Sequence, residues 1–124
     1  MIFIESTTPV AAGNEGKSLS NKNVNKLNSL MENYCASQKD LYYIDVNSCL
    51  KTKGGTLNLK YSGDGYVHLN MAGYAQWMNT LCAATDRLLI CQHQAEDAVK
   101  TAVQSREKKD YEEAVKKVNK LEKS

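Results

Sequence analysis

The chain opens on Met1-Ile2-Phe3-Ile4-Glu5, a short β-favouring apolar run that ends at Ser6-Thr7-Thr8-Pro9, where proline blocks continuation of a central ladder. This predicts a buried strand followed by a loop. Residues 10–20 carry two glycines and polar side chains with no apolar period, the composition of an exposed loop. From Asn21 to about Ser37, Val24, Leu27, Leu30, Met31 and Tyr34 recur at three- and four-residue intervals, which predicts a helix that buries that face, capped by Ser20 or Asn21. Leu41-Tyr42-Tyr43-Ile44-Asp45-Val46 is a second β-rich run. Strand, helix and strand in that order imply a parallel pair, one βαβ unit of an α/β sheet. Lys51 to Gly55 marks a turn and Thr56 to Tyr66 a long polar loop leading to His68. Beyond Asn70, the spacing of Tyr74, Trp77, Met78, Leu81 and Cys82 predicts a helix packing back onto the sheet, with the aromatic residues as packing residues.

The pattern changes near residue 84. Residues 85–124 show no strand signal and read as two helices separated near Ser105-Arg106-Glu107-Lys108-Lys109, with Asp110 as cap of the second. One apolar stripe is Ala95, Ala98, Val99, Ala102 and Val103, and the other is Tyr111, Ala114, Val115, Val118 and Leu121, which suits an antiparallel hairpin. Lys116, Lys117, Lys120 and Lys123 fall on a solvated face, and His93 reads as a surface residue. The boundary expected is therefore 1–84 for an α/β part and 85–124 for a helical extension.

Composition narrows the functional classes. Sixteen basic and 14 acidic residues are interspersed, giving a net charge of +2 without a basic patch, so nucleic acid and other polyanions are not indicated as partners. The longest apolar stretches, such as Leu88-Leu89-Ile90, fall far short of the roughly 20 residues that span a bilayer. Met1 to Glu5 has neither the basic start nor the long apolar run of a signal peptide. Cys35, Cys49, Cys82 and Cys91 lack paired C-x-x-C spacing, so a zinc site is not indicated. Disulfides of an exported protein and small buried thiols both remain open readings.

The densest chemistry lies in Tyr61-Ser62-Gly63-Asp64-Gly65-Tyr66-Val67-His68-Leu69-Asn70-Met71-Ala72-Gly73-Tyr74. A histidine beside a carboxylate is a general base held in one tautomer, the pairing an ester hydrolase needs to take a proton from serine. An isolated Asp-x-x-x-His is more often a solvated turn. The flanking residues change that reading, because the block resembles the last one of SGNH (GDSL-like) hydrolases, where an aspartate and a histidine precede the final helix and are followed by Leu-Asn or Leu-Ser and then Gly-Tyr. Ile2 to Val10 resembles that family's late strand and loop, and Tyr43-Ile44-Asp45-Val46 its last parallel strand. The resemblance covers about residues 1–84. It implies the C-terminal part of a flavodoxin-like three-layer α/β domain built on parallel strands, followed by the α-helical hairpin, with His68 and Asp64 as catalytic residues, no cofactor and no metal.

Two departures qualify it. The family spacing is Asp-x-x-His, whereas Asp64 stands four positions before His68 with glycine at 65. The Gly-Asp-Ser block that supplies the nucleophile, and the blocks that supply the glycine and asparagine of the oxyanion hole, do not occur in this sequence. Ser6 lacks that context and reads as a loop hydroxyl; Asn14 and the asparagines at the helix start read as loop and cap residues rather than oxyanion donors. The resemblance implies acyl or acetyl esters, possibly of carbohydrate, as substrate, and an N-terminal segment or self-association to complete the sheet. The helices after residue 94 are similar to helical spacer modules of secreted Gram-positive carbohydrate-active proteins, which implies an extracellular or cell-surface location. The alternative is a non-catalytic structural or interaction module of a secreted protein.

Overall fold

The computed structural model describes residues 1–16 and 19–121. Lys17, Ser18 and residues 122–124 lie outside the described residues, and with them part of the expected 10–20 loop and Lys123 of the expected charged face. The elements in chain order are β1 (Ile2–Glu5), α1 (Asn21–Ala36), β2 (Leu41–Ile44), two single 3-10 turns at Ser48–Leu50 and Leu59–Tyr61, α2 (Met71–Ser105) and α3 (Lys108–Leu121). The chain divides into two compact units, 1–82 and 83–124.

The expected flavodoxin-like three-layer sheet domain is corrected here. The protein is mostly helical: α1, α2 and α3 hold 16, 35 and 14 residues, against two strands of four. β1 and β2 pair in parallel, Ile2 with Leu41 through Glu5 with Ile44. The second strand stops at Ile44 rather than Val46 because the Val46 N–H turns back to the Ile44 carbonyl at 3.1 Å. No third β-favouring run follows, so the described residues form a two-stranded ribbon and not a layered sheet.

In the first unit, α1 is capped by Ser20, whose side chain accepts from the Asn23 N–H at 3.3 Å. Its buried face differs from the expected one. Val24 is buried, but Leu27, Leu30 and Tyr34 are exposed at 47%, 58% and 60%, and the other buried positions are Asn21, Asn28 and Cys35. The reason lies in the loop after β1, whose buried backbone needs partners. Asn28 accepts from the Thr7 N–H at 2.8 Å and donates to the Thr7 carbonyl at 3.0 Å; Asn21 does the same for Val10 at 2.9 and 2.8 Å. Seven residues apart, the two amides lie on one helix face and act as a short artificial ladder for the loop. Beneath that loop sits a core of Ala11, Leu50 and Leu57, with Cys49, Tyr61 and Leu69 packed against it.

Trp77 is half-buried, and its indole N–H donates to Glu5 at 3.0 Å, while Tyr74 and Met78 are exposed rather than packed. The helix expected after Asn70 and the first helix of the expected hairpin are one continuous helix, since Ala83-Ala84-Thr85 carries neither proline nor glycine to stop it. The break falls at Arg106, whose φ of 56° is left-handed. α3 begins at Lys108, two residues before Asp110, which therefore lies in the first turn, where a carboxylate complements the helix dipole. In the second unit Leu88, Ala95 and Ala114 are buried. Val99, Ala102, Val103, Tyr111, Ala114, Val115 and Val118 line an apolar groove of about 300 Å³. Cys35 is buried, Cys82 exposed, and Cys49 and Cys91 half-buried.

Candidate functional site

The site is built on a loop closed at both ends by backbone pairing. Ser62 and Leu69 form an antiparallel bridge, and the Gly63 N–H donates to the His68 carbonyl at 2.8 Å. Asn70 locks the neck: its amide donates to the Lys60 and Ser62 carbonyls at 2.9 and 3.1 Å and accepts from the Gly73 N–H at 2.9 Å, which caps α2. Gly73 is where helix and loop touch. A Cβ there would lie 2.5 Å from the Tyr61 carbonyl oxygen and 3.1 Å from Leu69, so no larger residue fits without displacement.

Within this closed loop the structure brings Asp64 and His68 together, with 2.5 Å between the Asp64 Oδ2 and the His68 Nδ1. The Asp64 Oδ1 meanwhile accepts from the Tyr66 N–H at 2.8 Å and the His68 N–H at 3.2 Å. One carboxylate therefore folds the turn with one oxygen and holds the imidazole with the other. Between them Gly65 turns the backbone with a left-handed φ of +71°, which glycine adopts without strain, and its N–H donates to the Ser62 hydroxyl at 2.8 Å.

His68 holds the Asp64 carboxyl down to about 2 from 3.8, aided by the Tyr66 and His68 backbone N–H groups. Asp64 is therefore an acceptor at any pH above that value, and the proton at Nδ1 is fixed on the histidine side of the pair. The His68 side chain is 77% exposed. A base so placed can exchange a proton with a group brought to its free edge.

Ser6 is placed elsewhere. It is 3% exposed, and its hydroxyl accepts from the Asn47 N–H at 2.8 Å and donates to Asp45 at 3.4 Å, a buried tie between the ends of the two strands. Asn14, read from sequence as a loop residue, donates from its amide to the Gly65 carbonyl at 2.7 Å. A contact across 51 positions leaves no local signal in the sequence. His93 is exposed on α2. Among the described residues no group of three or more His, Cys, Asp or Glu stands close enough to hold a metal ion. None of their helices is long and apolar enough to cross a membrane.

No family model and no curated protein matches the chain. A solved structure described as "a putative platelet activating factor from Streptococcus pneumonia" is similar in fold, with 25% identity and a TM-score of 0.59. The match covers 67% of this chain and 40% of that one, so the chain spans less than half the length of the structure it resembles.

Proposed function

We propose that this chain supplies the acid–base half of a serine ester hydrolase of the SGNH (GDSL-like) kind, His68 as general base and Asp64 as the carboxylate that orients it. The observation that carries this reading is the 2.5 Å Asp64–His68 pair on a loop closed by Asn70 directly before a helix. His68 takes the proton of a serine hydroxyl and returns it to the leaving alcohol; Asp64 keeps the imidazole in the tautomer that leaves Nε2 free to do so. The serine comes from sequence outside these 124 residues, since Ser6 is spent on the strand ends. Acyl or acetyl esters, possibly on carbohydrate, are the substrate class, and the location is extracellular or cell-surface. That location rests on the resemblance of the C-terminal helices.

The test is hydrolysis of short-chain aryl esters. Residues 1–124 are expected to turn over no faster than a His68→Ala control, because a base without a nucleophile gives little rate. The genomic reading frame is expected to carry Gly-Asp-Ser within about one hundred codons upstream, the length a full domain needs. Its product should be an esterase that loses at least about 1000-fold in kcat on His68→Ala. His68-dependent turnover by the 124-residue chain refutes the divided site, and an upstream region with no nucleophile favours a non-catalytic module.

A further inference from the structure

Three features stand outside the proposed chemistry. The apolar groove of the second unit and the exposed Leu27, Leu30 and Tyr34 stripe of α1 both lack any sign of what covers them. The third is the turn at residues 11–14, which reaches the histidine loop from 51 positions away.

That turn is well defined. The Asn14 N–H returns to the Ala11 carbonyl at 3.4 Å, and Gly13 adopts a φ of +82°, which together make a turn with a left-handed third residue. Its first residue, Ala11, is fully buried against Leu50 and Leu57, so the turn is anchored in the core of the first unit. From there two donors reach consecutive carbonyls of the histidine loop: the Ala11 N–H donates to Tyr66 at 2.8 Å and the Asn14 amide to Gly65 at 2.7 Å. Gly65 is the residue whose left-handed conformation lets Asp64 and His68 meet. Glycine alone does not enforce that conformation, because it visits both signs of φ with similar ease.

We infer that Asn14 is a positioning residue for the Asp64–His68 pair: by holding the Gly65 carbonyl it fixes the left-handed step that brings the aspartate onto the histidine. The described hydrogen bond of the Asn14 side chain is to the Gly65 backbone, so Asn14 acts through the backbone of the loop. The inference rests on the reading of His68 and Asp64 as the acid–base pair. It adds that the segment after β1 governs the geometry of that pair, so that a change at Asn14, on the exposed end of the turn, alters the chemistry at His68 while leaving the fold in place.

The experiment follows the Asp64 carboxyl carbon by NMR during acid titration in four forms of the full chain: the parent, Asn14→Ala, Gly65→Ala and His68→Ala. Thermal unfolding checks that each remains folded. In the parent the carboxyl titrates near 2, because His68 and two backbone N–H groups favour its charged form. Asn14→Ala is expected to raise that midpoint by about 0.5 or more toward 3.8, with Gly65→Ala, which strains the same step, moving it the same way. A residue that served only to stabilise the loop would lower the unfolding temperature without moving the carboxyl titration. If His68→Ala raises the midpoint and Asn14→Ala leaves it unchanged, the positioning role is overturned while the pair stands. If His68→Ala itself leaves it unchanged, the pair fails and the inference falls with it.

Discussion

Replacing Gly73 by alanine sets two effects of opposite sign against each other. Alanine favours a helix over glycine by about 1 kcal/mol, and Gly73 lies in the first turn of α2. Against this, the new Cβ would sit 2.5 Å from the Tyr61 carbonyl oxygen and 3.1 Å from the Leu69 Cβ. Ordinary contact is restored only if the helix start and the loop part by roughly 1 Å. The obstacle is backbone, and that same carbonyl accepts the Asn70 N–H at 2.9 Å, so moving it also weakens the neck of the histidine loop. Overpacking of this kind costs about 1–3 kcal/mol and a weakened hydrogen bond about 1 more, which outweighs the helical gain. The net loss is about 1–3 kcal/mol, or a fall of roughly 5–20 °C in the unfolding midpoint of a unit this size. Circular dichroism during heating measures it, and amide exchange at Gly73 locates it. Gly16→Ala is the control: nothing lies within 4 Å of its would-be Cβ and its backbone is not left-handed, so it should change stability by less than about 0.5 kcal/mol. A Gly73→Ala protein as stable as its parent refutes the close approach of helix and loop.

Two further outcomes follow from the first unit and from α2. Asn28→Ala or Asn21→Ala removes the acceptor of the Thr7 or Val10 N–H, while the two carbonyls keep the Asn47 amide and the Leu57 N–H as donors, and each is expected to cost about 1–3 kcal/mol in denaturant unfolding. Asn28→Asp, which sets a carboxylate oxygen against the Thr7 carbonyl in a nearly buried site, should cost at least as much as Asn28→Ala. Cys82 and Cys91 are nine residues apart on one continuous helix, a rise of about 13 Å against a bridging limit of about 7 Å. Peptide mapping after mild oxidation should find no Cys82–Cys91 bridge, and finding one would break the helix between them.

Periodicity located the elements better than it located their faces. β1, α1 and the start of β2 fall where the apolar runs place them, because strand and helix periods are local properties of the chain. The apolar period predicts Leu27, Leu30 and Tyr34 on the buried face of α1, whereas the structure buries Asn21, Val24, Asn28 and Cys35. Here Asn21 and Asn28 turn inward to satisfy a loop, a demand created by residues 7 to 10 and invisible in the helix itself. The change in apolar pattern near residue 84 lies where the two compact units divide, yet no residue there stops a helix and α2 runs through it. The layered sheet follows from the resemblance, and among the described residues only two four-residue strands are present to build it.

The block from Tyr61 to Gly73 was legible because nearly every residue in it has a constraint of its own, and this bears on how its function is tested. Gly73 is set by close approach, Gly65 by a left-handed backbone, and Asn70 by three hydrogen bonds at the neck. Asp64 belongs partly to this structural set, since one of its oxygens holds the Tyr66 and His68 N–H groups whatever the imidazole does. Removing Asp64 therefore disturbs the loop as well as the pair, and a loss of activity on Asp64→Asn would not separate the two. His68 is different: its side chain is 77% exposed, and its only described side-chain tie is to Asp64. Deleting it leaves Asn70, Gly73 and the Ser62–Leu69 bridge in place. In the product of the extended reading frame, activity lost on His68→Ala with an unchanged unfolding midpoint thus reports chemistry, whereas a fall in both would mark His68 as one more residue that shapes the loop.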